Sequence, residues 1–269
     1  MTATPSEYAQ RGGIGAFAGG MGIGALGGLI GLGGAEFRLP LLIGMFRFGA
    51  LEAVIVNKAM SLIVVVSALP FRTGTTSVAA IADQWMVIVN LLAGSLLGAW
   101  VGASWATKLK SETLYRIIAV LLVAIAAVLM IGHGAEGAGH PMFVGPVQTV
   151  AGVVAGFVIG VVAALLGVAG GELLIPTLIL LFGVDVKLAG SLSLAVSLPT
   201  MLVAFARYSR DNSFAVLLRN RGFVIIMAIG SIVGSFIGAM LLGVVPGSVL
   251  LPALAVILLI SAVKVWQHR

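Results

Sequence analysis

Two matching segments carry most of the side chains in this chain that could do chemistry. The first reads Gly-Leu-Gly-Gly-Ala-Glu-Phe-Arg-Leu-Pro over 31–40, and the second reads Gly-Val-Ala-Gly-Gly-Glu-Leu-Leu-Ile-Pro over 167–176. Because proline is tolerated in the first turn of a helix, Pro40 and Pro176 are predicted to mark the N-terminal turns of two short helices. The glycines before them permit a backbone with positive φ. Each segment is therefore predicted to be a chain break that leads into a helix.

A chain break of this kind can bind an anion without a cationic side chain. The free backbone N–H groups and the positive end of the helix dipole both face the break. The predicted substrate-binding residues in the two breaks are Gly33, Gly34, Ala35, Gly170 and Gly171. The alternative interpretation is that these glycines only allow helices to cross closely.

One glutamate lies in each segment, Glu36 in the first and Glu172 in the second. A carboxylate inside a bilayer costs about 2.5–3.5 kcal/mol on insertion scales, so it usually has a partner or a function. Beside an anionic substrate, a carboxylate would repel the substrate unless the carboxylate were protonated. We therefore expect both glutamates at the substrate site, where one or both take up a proton and couple it to anion movement. The alternative, which the sequence supports equally, is that each caps free amides or pairs with Arg38 or Lys58.

Two cations belong to the same predicted site, Arg38 and Lys58. Lys58 lies within an apolar stretch, and its counterpart in the second copy is Leu194, so this cation occurs in one copy only. An unpaired lysine that faces lipid is disfavoured. Lys58 could attract an anionic substrate directly, or it could neutralise Glu36 or Glu52.

Small polar side chains complete the predicted substrate site. Asn57 and Ser61 stand four residues apart, as do Ser193 and Ser197, so each pair shares one helix face. Ser191 joins the second face. These groups could bind the oxygens of a small oxyanion. The alternative for any single serine is a hydrogen bond to a backbone carbonyl one turn back.

The composition defines the class of protein that carries these residues. Of 269 residues, 60% are hydrophobic and 9% are charged, and the mean hydropathy is +1.19. A soluble domain has about 25% charged residues, so the sequence indicates an all-α polytopic membrane protein. The net charge of +6 comes from basic residues in short gaps, which argues against nucleic-acid binding. The absence of cysteine excludes disulfides and thiolate metal sites.

No enzyme or cofactor signature is present in the sequence. His133 and His140 fit no metal motif, so no metal is assigned. Walker loops, nucleophile elbows and dinucleotide fingerprints are also missing. We expect no catalytic residue and no cofactor.

Eight apolar stretches are long enough to span about 30 Å of hydrocarbon, and two shorter ones follow the first and the fifth. The long stretches are 12–33, 50–71, 84–107, 113–132, 147–168, 186–206, 222–243 and 249–266, and the short ones are 38–46 and 174–182. We expect a first repeat with the N-terminal tail over 1–133, a central linker over 134–146, and a second repeat over 147–269.

The two halves are copies of one unit. At an offset of 136 residues, 23 of 84 positions are identical between 20–103 and 156–239, which is more than a skewed composition explains. Duplication of a membrane unit is common in transporters. The repeat includes two glycine series at four-residue spacing, which predict close helix packing: Gly94, Gly98 and Gly102, and Gly230, Gly234 and Gly238.

Charge counting bears on the topology. If the two short stretches do not cross the membrane, 8 basic loop residues lie on one side and 6 on the other. If the short stretches do cross, 11 basic residues lie on one side and 3 on the other. The second pattern obeys the positive-inside rule, places both termini in the cytoplasm, and makes the halves inverted repeats of five passes each. A helix of about ten residues covers only about 15 Å, however, so non-helical backbone must cover the rest. A re-entrant hairpin with eight full passes remains the alternative.

On these residues the chain resembles the TauE/SafE family, the sulfite exporter family of membrane transporters. The resemblance rests on the two duplicated segments and on Gly-Ser-Leu-Ser-Leu-Ala at 190–195. The first copy departs from that pattern, with Val-Asn-Lys-Ala-Met-Ser at 56–61. The resemblance implies movement of small sulfur-containing anions across the cell inner membrane without ATP.

Together these observations predict a secondary transporter or exporter of sulfite, a sulfonate or a related organosulfur oxyanion, coupled to protons and working by alternating access. The alternatives are a passive anion channel and an uptake transporter for another small anion. A membrane enzyme and a scaffold are less favoured. The expected partners are the small anion and membrane lipid, and the sequence leaves a homodimer open.

Overall fold

A computed structural model describes residues 5–30, 34–72, 78–131, 141–241 and 247–267, and α-helices form nearly all of this part of the chain. A 3-10 turn at Asn212–Phe214 precedes α10. The helices are α1 Pro5–Ile30, α2 Ala35–Gly44, α3 Ala50–Arg72, α4 Val78–Asp83, α5 Trp85–Ala106, α6 Ser111–Ile131, α7 Pro146–Leu166, α8 Gly171–Phe182, α9 Val186–Tyr208, α10 Ala215–Arg219, α11 Arg221–Leu241 and α12 Gly247–Gln267.

Five helices within the described residues are long and apolar enough to cross a membrane. Shorter apolar segments lie in α1, α8 and α12. The prediction of an all-α polytopic membrane protein is confirmed. The apolar segments that qualify as spans are Ala50–Ser67, Trp85–Ala106, Pro146–Leu166, Leu188–Tyr208 and Arg221–Gly238.

The helix boundaries repeat with the offset of 136 residues that the sequence shows. Helices α3 and α9 agree in both their first and last residues, and so do α6 and α12. Helices α2 and α8 begin at equivalent residues, as do α5 and α11. The duplication is therefore expressed in the structure element by element. The central linker predicted at 134–146 lies partly outside the described residues, and α7 begins at its last residue, Pro146.

The two copies are interlocked in space. Helix α1 packs along α11, and its counterpart α7 packs along α5, so the first helix of each copy lies against the other copy. Helices α3 and α9 contact each other, as do α6 and α12. The short helix α2 packs on α3 and α12, and its counterpart α8 packs on α9 and α6.

Glycines make the α1–α11 and α5–α7 contacts close. A Cβ atom built on Gly24 would overlap the backbone O of Ser231, and one built on Gly234 would overlap the backbone O of Met21. In the equivalent contact, a Cβ on Gly98 would overlap the backbone O of Phe157. The packing role predicted for Gly98 and Gly234 is confirmed, since only glycine fits at such backbone-to-backbone distances.

One end of the bundle collects most of the basic residues, and we call it the basic end. Phe46, just after α2, packs against Phe223, with ring centroids 4.7 Å apart. The Arg219 guanidinium lies 2.8 Å from the Glu52 carboxylate near the start of α3. The Arg207 Nε donates to Ser104 Oγ over 2.7 Å. These contacts bring together residues 44–52, 104–116 and 207–223, which carry Arg47, Lys108, Lys110, Arg116, Arg207, Arg210, Arg219 and Arg221.

The last turn of α8 lies at the other end of the bundle. The Met142 N–H donates to Leu180 O over 2.9 Å, and Gln148 Nε2 donates to Leu181 O over 2.8 Å. Helix α9, with 23 residues or about 34 Å, leads from this end to the basic end. Helix α2 therefore ends at the basic end, whereas its counterpart α8 ends at the opposite end.

The two short helices together are about as long as one membrane span. With 10 and 12 residues they cover about 15 and 18 Å, and about 30 Å is the thickness of a hydrocarbon core. Because they end at opposite ends of the bundle, both begin near its middle. This arrangement places the two chain breaks at the same depth.

The prediction that Pro40 and Pro176 mark the first turns of these helices is wrong. Each proline is the sixth residue of its helix, because α2 already begins at Ala35 and α8 at Gly171. The proline ring has no N–H to offer the carbonyl four residues earlier, which belongs to Glu36 or Glu172. The apolar stretches predicted at 38–46 and 174–182 therefore began three residues too late.

Candidate functional site

The two short helices start in the same way. Gly34 precedes α2 with φ 65°, and Gly170 precedes α8 with φ 84°, both in the left-handed region that favours glycine. Neither N-cap supplies a side-chain hydrogen bond, because glycine has none to give. The predicted positive φ is confirmed at Gly34 and Gly170. Ala35 and Gly171 are the buried first residues of the helices, and Gly33 lies outside the described residues.

Glu36 and Glu172 face each other at these two helix starts. Each is the second residue of its helix, and they are 1% and 2% exposed. Their carboxyl groups interact with each other and are close enough to share a hydrogen bond. Glu36 Oε2 and both carboxylate oxygens of Glu172 have no well-aligned hydrogen-bond donor in the described part of the chain, although the backbone N–H of each glutamate lies close to its own carboxyl group. The two chain breaks thus meet through their carboxyl groups.

Two cations accompany the two acids. Arg38 interacts electrostatically with Glu36, and Lys58 with Glu172. These four are the charged side chains that the described residues bury. The alternative in which Lys58 neutralises Glu52 is wrong, because Glu52 lies at the basic end and pairs with Arg219.

Lys58 is bound to the end of α7. Its Nζ donates to Ala163 O over 2.8 Å and to Val168 O over 2.6 Å. A cation at a helix C-terminus satisfies carbonyls that have no partner within the helix and offsets the negative end of the dipole. Lys58 therefore joins α3 of the first copy to the chain break of the second.

Asn57 connects the two breaks directly. Its Nδ2 donates to Ala35 O over 2.9 Å and to Leu166 O over 3.0 Å. The first carbonyl belongs to the start of α2 and the second to the end of α7. A single buried amide therefore fixes the position of one break relative to the other.

Arg38 extends this network across the bundle. One guanidinium nitrogen donates to Asn57 Oδ1 and to Ser61 Oγ, each over 3.4 Å, and the other donates to Ser231 Oγ on α11 over 3.3 Å. Sequence reasoning missed Ser231 as a site residue. Ser231 is the repeat counterpart of Ser95 and both are buried, but the sequence does not indicate that Ser231 lies near Arg38.

Two of the four serines of the predicted site bond backbone carbonyls. Ser61 Oγ donates to Asn57 O over 2.7 Å, and Ser193 Oγ donates to Gly190 O over 2.9 Å. Ser191 and Ser197 are buried on α9. The structure thus follows the alternative interpretation for Ser61 and Ser193, whose hydroxyls point to helix carbonyls. Their contact with a substrate stays a prediction.

The arrangement suits an anion and a proton better than a metal ion. Two positive helix ends converge on a centre that holds two carboxyl groups, and uncapped first-turn amides adjoin it. Among the described residues, no group of three or more His, Cys, Asp or Glu side chains lies together. His133 and His140 lie outside the described residues.

Comparison with known proteins agrees with this architecture. The family model described as Sulfite exporter TauE/SafE matches residues 2–130 and 152–269, nearly the whole chain. No curated protein and no solved structure matches the chain. The chain is a multi-pass membrane protein that belongs to the TauE/SafE sulfite exporter family of transporters.

Proposed function

We propose that this protein is a secondary transporter that exports a small sulfur-containing anion, such as sulfite or a sulfonate, and couples the movement to protons. Family membership supports the class of substrate. The observation that carries the proposal is the meeting of Glu36 and Glu172 at the facing starts of α2 and α8. Anion binding needs positive potential without bulk water, and two helix N-termini provide it.

The substrate binds between the two helix starts. The backbone N–H groups that follow Gly34 and Gly170 donate to the oxyanion, because the glycine N-caps have no side chain to bind them. Short segments interrupted by glycine at equivalent places in two copies are typical of transporter sites near the bilayer midplane. The buried network of Arg38, Asn57 and Lys58 holds the two breaks at that depth.

Access to the site alternates between the two sides of the membrane. Helices α2 and α8 start together and end at opposite ends of the bundle, which supports copies that are inverted relative to each other. Rocking of one copy against the other would then open the same centre to either side. The positive-inside rule puts the basic end in the cytoplasm and, with it, both termini of the chain.

Glu36 and Glu172 carry the coupled proton. A carboxylate at the centre would repel an arriving anion, whereas a carboxylic acid would not. Protonation of one glutamate therefore accompanies anion binding. Deprotonation on the other side of the membrane restores the empty site.

Flux through proteoliposomes tests this function. An imposed pH gradient should drive accumulation of sulfite above its equilibrium level in vesicles that contain the purified protein. Glu36→Gln and Glu172→Gln should each abolish this uphill accumulation. The matched control is Glu112→Gln, which removes an exposed carboxylate that pairs with Arg116 over 2.6 Å. Downhill sulfite flux that no pH gradient can drive uphill would indicate a passive channel and contradict the proposal.

A further inference from the structure

The buried centre of the protein carries no net charge when its ionisable groups are all charged. Glu36 and Glu172 contribute two negative charges, and Arg38 and Lys58 contribute two positive ones. The other polar side chains around them, among them Asn57 and Ser61, are neutral. Binding of an anion therefore adds an uncompensated negative charge to a group of charges that sums to zero.

The helices packed against α2 and α8 bring no further charged group to this centre within the described side chains. These helices are α1, α3, α6, α7, α9 and α12. Their titratable side chains other than Lys58 lie near helix ends, and these are Glu52, Glu112, Tyr115, Arg116, Arg207, Tyr208 and Lys264. Of these, Tyr208 is buried and its hydroxyl donates to Ala164 O in the last turn of α7 over 3.0 Å, so it reaches the centre as a neutral group. The charge balance at the centre therefore depends on four residues.

Both cations already donate hydrogen bonds to other groups of the protein. The Lys58 ammonium donates to the carbonyls of Ala163 and Val168, and the Arg38 guanidinium donates to Asn57, Ser61 and Ser231. The positive potential that remains for an anion is that of the two helix starts. Glu36 and Glu172 lie there now, and oxygens of both lack a well-aligned donor. These carboxylates therefore occupy the place that an oxyanion would take.

We propose that the substrate replaces a glutamate carboxylate at the helix starts, and that the protein moves one monoanion together with one proton, without net charge. This inference rests on the proposed function and refines its substrate class. On binding, one proton joins one glutamate carboxylate to give a carboxylic acid, and no other bond forms or breaks. The anion then takes over the interaction with the helix N-termini.

The physical reason is the cost of an unbalanced charge in a low-dielectric interior, which is several kcal/mol per ion even after relaxation. A monoanion adds one negative charge, and one proton restores the balance. A dianion would leave one negative charge after the same proton. The site should therefore bind monoanions such as a sulfonate or hydrogen sulfite, and discriminate against dianions such as sulfate.

Calorimetry with methanesulfonate measures the proton directly. This probe keeps a single charge across the working pH range, so any proton taken up on binding belongs to the protein. Titration of the purified full chain in two buffers of different ionisation enthalpy gives the number of protons per bound anion. We expect about one proton for the wild type and for Glu112→Gln. We expect about zero for Glu36→Gln and Glu172→Gln, because the loss of one negative charge lets the anion itself restore the charge balance.

Flux at a clamped membrane potential gives a second measurement. Wild-type flux of methanesulfonate should not depend on the potential. In either glutamine variant each anion would carry a net charge, so a change of about 59 mV should alter its equilibrium accumulation tenfold. If neither glutamine variant folds, two wild-type measurements test the proposal: the number of protons per bound anion, and whether the flux depends on the membrane potential.

The possible failures are distinguishable. Binding or flux of methanesulfonate without proton uptake, or with wild-type flux that responds to potential, would overturn this inference and leave the anion site intact. Proton uptake that persists in both glutamine variants would also overturn it. Absence of binding and flux for both methanesulfonate and sulfite would overturn the proposed function as well.

Discussion

The Nζ atom of Lys58 lies 2.6 Å from the carbonyl O of Val168, so a residue of the first copy caps the chain break of the second. The same ammonium group binds Ala163 O in the last turn of α7. A buried cation therefore holds together two segments that are more than 100 residues apart in the chain. The glycine contacts of α1 with α11 and of α5 with α7 join the copies elsewhere, and Arg38 donates to Ser231 of the second copy over 3.3 Å.

Replacement of Lys58 by leucine, its repeat counterpart, should destabilise the protein. Two buried carbonyls would lose their donor at a cost of about 1–3 kcal/mol each, and Glu172 would lose its nearest cation. Thermal unfolding of the purified variant in detergent should show a lower Tm. Lys264→Leu is the matched control, because Lys264 is exposed near the end of α12. Equal Tm values for the two variants would show that Lys58 does not stabilise the contact between the two copies.

Asn57→Leu should uncouple the two chain breaks. The carbonyls of Ala35 and Leu166 would remain buried without this amide, which costs about 1–3 kcal/mol per group. We expect a lower Tm and a weaker affinity for anions, measured by unfolding and by calorimetry. Asn90→Leu serves for comparison, since Asn90 is partly buried between α5 and α7, away from the two breaks, and donates a single bond, to Thr149 O. A variant at Asn57 that binds anions as tightly as the wild type would contradict the bridging role.

Two glycines on one helix should respond in opposite ways to alanine. Gly24→Ala forces a Cβ onto the backbone O of Ser231, and such overpacking costs about 1–3 kcal/mol. Gly22 has nothing within 4 Å of its Cβ position, so Gly22→Ala should gain up to about 1 kcal/mol of helix propensity. Unfolding temperatures of the two variants should lie on opposite sides of the wild type. Similar values for both would mean that α1 and α11 do not pack at this distance.

The proposed inversion of the two copies predicts where labels can reach the chain. The protein has no cysteine, so single cysteines report their own positions. Met45 follows α2 and Asp185 follows α8, and both are exposed. In intact cells a membrane-impermeant maleimide should label Asp185→Cys and should label Met45→Cys only after the membrane is opened. Labelling of both from the same side would exclude inverted copies.

The long helices of this protein could be predicted from the sequence, whereas the starts of the two short helices α2 and α8, and the helices α4 and α10, could not. The offset of 136 residues and the long apolar stretches define the main spans to within a few residues. The short helices begin earlier than the prolines suggested, because a glycine with positive φ and a glutamate in the first turn are the actual start signals. Proline in the sixth position breaks only the bond to residue 36 or 172, which the packed helix tolerates.

The partners of Lys58 and Arg38 were beyond prediction for a different reason. Lys58 binds two backbone carbonyls of the other copy, and every residue has a carbonyl, so no sequence pattern marks them. Ser231 is also distant in the chain from Arg38, which donates to it. The facing of Glu36 and Glu172, in contrast, follows from the duplication once the two short helices start at the same depth.

The most direct test of the central claim is to locate a bound anion in an experimental structure. Hydrogen selenite is an analogue of hydrogen sulfite, and the anomalous scattering of selenium identifies its position. We predict a selenium peak between Glu36 and Glu172, within hydrogen-bonding distance of the first-turn amides of α2 and α8. A peak confined to the basic end, for example at Arg207 and Arg210 beside Trp100, with none between the two glutamates, would contradict the account.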